Sequence, residues 1–102
     1  MAEEFRPDWT LAPAATLREW MRENGLSVRV LAVAAAGKWH KGAAAEVIQE
    51  VLDRKPLTEE HAKVLARGTG IPASFWAGFE HNYRAGLAAG LADVTPEDGT
   101  RA

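Results

Sequence analysis

Apolar positions along this chain recur with helical periods. Leu17, Trp20 and Met21 follow an i, i+3, i+4 pattern, and Val28, Leu31, Ala32 and Ala35 repeat it further on. Ala44, Val47, Ile48, Val51 and Leu52 form a third stripe, and Ala62, Val64, Leu65 and Ala66 a fourth. Phe75, Phe79, Tyr83, Leu87 and Leu91 stand four residues apart and draw a seam that Trp76 widens. No stretch alternates with the period of two that a half-buried strand requires. The pattern predicts an all-α domain of five helices near residues 16–24, 27–36, 43–55, 58–67 and 72–91. Its core is expected to hold Trp20, Leu31, Val47, Val51, Leu65, Phe75, Trp76 and Phe79.

Helix punctuation sets these boundaries. Thr16 with Glu19 three residues later reads as a capping box, and Asn24-Gly25 as a helix stop. Ser27 and Thr58 are caps, Glu59 and Glu60 sit at a positive helix end, and Pro56 closes the third helix. Gly68-Thr69-Gly70 ends the fourth, and Pro72 suits the first turn of the fifth. Lys38-Trp39-His40-Lys41-Gly42 reads as a polar loop with one large aromatic. Residues 1–15 are expected to be an irregular arm anchored by Phe5, Trp9 and Leu11. Residues 16–92 would be the helical domain, and 93–102 a flexible polar tail.

At 102 residues the chain has room for a single core. Its 47% apolar and 25% charged residues are ordinary for a soluble globular domain. The absence of cysteine rules out a disulfide framework, thiolate-ligated zinc and a thiol nucleophile. It fits a reducing cytoplasm. The acidic start, MAEEFRPDW, lacks the apolar run of a secretory signal, and no window is apolar enough to span a membrane.

The net charge is −2, but it is unevenly spread. Residues 25–58 carry Arg29, Lys38, Lys41, Arg54 and Lys55 against Glu46, Glu50 and Asp53, a balance of +2. The segments on either side carry about −2 each. His40, His61 and His81 lack metal-ligand spacing and read as surface histidines. Glu59 and Glu60 are adjacent on a helix and do not face one another. Ser27 and Ser74 have no convergent base, and there is no glycine-rich phosphate loop. No enzyme, metal or cofactor is expected.

Six short motifs follow one another in a recognisable order. They are Phe5-Arg6-Pro7-Asp8-Trp9, Pro13 with Thr16-Leu17-Arg18-Glu19, Asn24-Gly25-Leu26-Ser27, Pro56-Leu57-Thr58, Ile71-Pro72-Ala73-Ser74-Phe75-Trp76, and Asn82-Tyr83-Arg84. In that order they resemble the HigA-type antitoxins, a branch of the XRE-like helix-turn-helix proteins. The resemblance covers roughly residues 5–90. It implies a lambda-repressor-like fold and a DNA-binding transcriptional regulator. It also implies a homodimer on a palindromic operator of double-stranded DNA, and a role in neutralising a small ribonuclease toxin.

The second and third helices would form the helix-turn-helix, with the third in the major groove. Gln49 would read an adenine edge, and Lys38, Lys41, Arg54 and Lys55 would lie along the phosphates. Trp39 and His40, at the turn, would contact backbone or sugar. Leu87 and Leu91, beyond what a small core needs, would meet the second subunit.

Three features depart from the family's pattern. Val28 stands where a polar side chain usually follows the capping serine, the turn is about five residues longer, and the third helix opens Ala43-Ala44-Ala45-Glu46. These leave two rivals in place: a protein-interaction module on the same scaffold without DNA binding, and a phage repressor or Cro-like regulator without a toxin.

Overall fold

The computed structural model describes residues 9–36 and 41–95, the side chain of Lys41 excepted. The described residues form five helices: α1 (Pro13–Asn24), α2 (Val28–Ala36), α3 (Lys41–Leu52), α4 (Glu59–Thr69) and α5 (Ala73–Ala88). Two two-residue strands, β1 (Trp9–Thr10) and β2 (Ala92–Asp93), pair in parallel and bring the flanks of the bundle together. The class is all-α as the periodicity predicts. The short ribbon was not expected, because two residues are too few to display alternation.

One buried cluster joins the first four helices to α5. Leu17 and Met21 from α1 meet Leu31, Ala32 and Ala35 from α2, and Ala44, Ile48 and Val51 from α3. Ala62, Val64 and Leu65 of α4 and Trp76 of α5 close it. Gly68 permits the tight approach of α4 to α2, since a Cβ there would stand 2.9 Å from the Ala35 Cβ and from a Leu31 methyl.

Several expectations need correction. Helix α1 starts at Pro13, whose fixed φ and missing N–H suit the first turn, so Thr16 lies inside the helix and caps nothing. Glu19 pairs with Arg22 instead. Ala12 and Ala14 are buried against Tyr83, so residues 12–15 belong to the domain and not to an arm. At the other end the expected tail loses its first residues to the fold. Thr95 is 7% exposed, and its hydroxyl accepts the Ala12 N–H at 2.8 Å. Residues 96–102 lie outside the described part.

The expected aromatic seam of α5 is also revised. An α-helix turns about 100° per residue, so a four-residue step precesses by about 40°. Phe75 is therefore carried out to solvent at 57% exposure, and Phe79 is half-buried. The stripe that faces inward is Trp76, Phe79, Tyr83 and Gly86, with 3-4-3 spacing. Trp20 and Val47 are half-buried rather than enclosed, packed against the main cluster. Leu31, Val51, Leu65 and Trp76 are buried as expected.

Candidate nucleic-acid interface

Helix α3 buries Ala44, Ile48 and Val51 and turns Glu46 and Gln49 outward, and Asp53, one residue past its end, continues the exposed row at 3-4 spacing. That outer row is polar and continuous. The Gln49 amide donates to Asp53 Oδ1 at 3.1 Å, one turn along the same face. This leaves the Gln49 carbonyl oxygen and its second N–H directed away from that bond. The Asp53 contact was missed in the sequence, although an i, i+4 glutamine–aspartate pair is a recognisable helical signal.

The other proposed contact residues are distributed unevenly. Lys38, Trp39 and His40 lie outside the described residues, as does the side chain of Lys41. Lys55 is exposed just beyond the end of α3. Arg54 is not simply displayed along the flank: it is half-buried, and its guanidinium lies 3.3 Å from Asp93 Oδ2. Leu87 is exposed, while Leu91 is half-buried and donates its N–H to the Gly86 carbonyl at 2.9 Å.

Between the start of α2 and the start of α3 lies an open groove of about 930 Å³, lined among others by Ser27, Val28, Arg29, Val33 and Ala45. Among the described residues of that lining, Arg29 carries the charge. Ser27 Oγ accepts the Val30 N–H at 3.2 Å, so this serine caps α2 as expected. Val30 and Val33, 50% and 58% exposed, make the outer side of α2 apolar.

Polar contacts fix α3 to its neighbours. His61, expected as a surface histidine, is half-buried and joins α4 to α3. Its Nδ1 accepts the Thr58 N–H at 2.9 Å, and its Nε2 lies 2.8 Å from Glu50 Oε1. With Nδ1 accepting, the proton resides on Nε2, which donates to the carboxylate. A histidine thereby fills the glutamate or glutamine position of a capping box.

Asp93 forms a second junction. Partial burial opposes its ionisation, but hydrogen bonds from Thr95 and Tyr83 and the nearby Arg54 charge outweigh it and hold the carboxyl at about 2. Burial and the Asp93 carboxylate push the Tyr83 hydroxyl up from its ordinary value. Among the described residues no three histidine or acidic side chains converge as a metal site, and no helix is long and apolar enough to cross a membrane.

No family model matches the chain, and no curated protein or solved structure matches it significantly.

Proposed function

We propose that the protein is a DNA-binding transcriptional regulator, with α2 and α3 as a helix-turn-helix in a lambda-repressor-like domain similar to the HigA-type antitoxins. One observation carries it: α3 is seated on the bundle by a buried face while a continuous polar row, centred on Gln49, faces outward. A reading helix needs this division of faces. The order of sequence motifs supports the same assignment.

In this mechanism α3 enters the major groove. The Gln49 amide, oriented by Asp53, offers its carbonyl oxygen and remaining N–H to an adenine edge. Glu46 and Asp53 would repel phosphates but can accept from cytosine amino groups. Lys38, Lys41 and Lys55, with Arg29 at the start of α2, would supply the phosphate charge, and Trp39 and His40 the turn's backbone contacts. A second copy, joined through Leu87 and Leu91, would place two reading helices on a palindromic operator. Neutralisation of a ribonuclease toxin would be the biological setting.

A second reading is favoured by the apolar outer side of α2 and the two acids flanking Gln49. It makes the chain a protein-interaction module. Substituting Gln49 by alanine separates the two: a DNA reader relaxes its preference at one base pair, at a cost of about 1–3 kcal/mol. A module without DNA binding shows no base preference to lose.

A further inference from the structure

Among the described residues, four helices are closed by a residue in the left-handed region. Three of these residues are glycine: Gly25 at φ 64°, Gly70 at 83° and Gly90 at 85°. The fourth, at the end of α3, is Arg54 at 65°, where an L side chain crowds the following carbonyl oxygen. The terminus closes as a glycine would close it. The Arg54 N–H donates to the Val51 carbonyl and the Lys55 N–H to the Glu50 carbonyl, both at 3.0 Å. Glycine satisfies that backbone with less strain, so the arginine must be explained by its side chain.

Its guanidinium meets Asp93 Oδ2 at 3.3 Å. Asp93 is itself held in place. Its Oδ2 accepts the Tyr83 hydroxyl at 2.6 Å, and its Oδ1 accepts the Thr95 N–H at 3.0 Å and the Thr95 hydroxyl at 2.5 Å. Two more arginines cover the same helix end. Arg84 of α5 donates to the Arg54 carbonyl at 3.2 Å, and Arg18 of α1 to the Leu52 carbonyl at 3.4 Å. Cationic groups belong at a helix C-terminus, where the free carbonyls carry partial negative charge. The C-terminal end of α3 is thus gripped from α1, α5 and β2 at once.

We propose that Asp93 is a positioning residue for α3: through Arg54, the C-terminal strand fixes the angle at which this helix is presented. The proposal rests on α3 being the reading helix. A partly exposed ion pair contributes little to global stability, so its consequence is orientation.

Simple charge and positioning predict opposite signs for Asp93→Asn. Removing a negative charge should tighten binding to DNA if Asp93 acts only through its field, or if it restrains an Arg54 that contacts phosphate. Positioning predicts weaker binding to the duplex upstream of the reading frame, by between about threefold and thirtyfold. The salt dependence should stay unchanged, because no phosphate contact is lost. Arg54→Gly, with its backbone relieved, should weaken binding similarly, and the double variant should add nothing. Tighter or unchanged binding in Asp93→Asn overturns the proposal.

Amide exchange in the full chain without DNA decides the case if no duplex is bound. Asp93→Asn should speed exchange at Arg54 and Lys55 by about tenfold or more beyond the general acceleration that Val64 and Leu65 show from the variant's lower global stability. That result leaves the positioning of α3 standing and removes only the DNA assignment. Unchanged exchange, or acceleration at Arg54 and Lys55 no greater than at Val64 and Leu65, overturns the positioning role itself.

Discussion

Gly86 lies so close to Thr10 that a Cβ on residue 86 would stand 2.8 Å from both the Cβ and the hydroxyl oxygen of Thr10. This contact seats β1 on α5. Gly86→Ala gains up to about 1 kcal/mol of helix propensity but forces the strand off the helix, at about 1–3 kcal/mol. The net result should be a lower urea midpoint. A Cβ on Gly78, in the same helix, meets nothing within 4 Å. Gly78→Ala should raise the midpoint, through a gain of about 0.5–1 kcal/mol in stability. Equal responses would show that β1 does not press on α5.

Asp93 makes stability depend on acid. Its carboxyl sits at about 2, below the ordinary 3.8, so the folded state holds the proton less tightly than the unfolded chain. The stabilisation is complete above about pH 4 and disappears as the pH falls through about 2. With partial exposure discounted, it amounts to about 1 kcal/mol. Asp93→Asn should be less stable than the parent near neutrality, and the two should converge at low pH. Parallel curves throughout that range would remove Asp93 from the acid response.

The cap of α4 depends on an unusual residue. His61→Ala removes the acceptor for the Thr58 N–H and should cost about 0.5–2 kcal/mol. His61→Gln supplies the side chain usual at that position and should recover part of the loss. Identical destabilisation by the two changes, measured by chemical denaturation, would mean the reciprocal bond contributes nothing.

The fifth helix shows how far sequence reading carries and where it stops. Its existence was legible and its start was placed to within one residue, Pro72 standing as the cap before Ala73 and not in the first turn, since proline and aromatic spacing are local signals. The inward face was not: a four-residue seam precesses, and only the neighbours decide whether Phe75 or Trp76 faces the core. Trp76→Ala should therefore cost about 3–5 kcal/mol and Phe75→Ala less than about 1. Reversed magnitudes in urea denaturation would restore the original seam.

The candidate interface was legible to a similar degree. Gln49 on an exposed face followed from helix period alone. The attachment of Arg54 to Asp93 did not, because it joins residues 39 apart through a turn whose left-handed arginine no local rule anticipates. The same holds for His61, whose partner Glu50 lies on another helix. Non-local pairs of this kind, with the inward face of α5 and the start of α1, were the unread part of the chain.

The central claim, that α3 with its basic flanks engages duplex DNA, is tested most directly by titrating the protein against its own upstream region at two salt concentrations. Counterion release predicts that log affinity falls linearly with log salt, with a slope of about −0.9 per phosphate contact. Lys41→Glu and Lys55→Glu should each flatten that slope by about 1 and weaken binding to every sequence alike. An absence of binding at low salt, or affinity indifferent to salt and to both lysines, would contradict the claim.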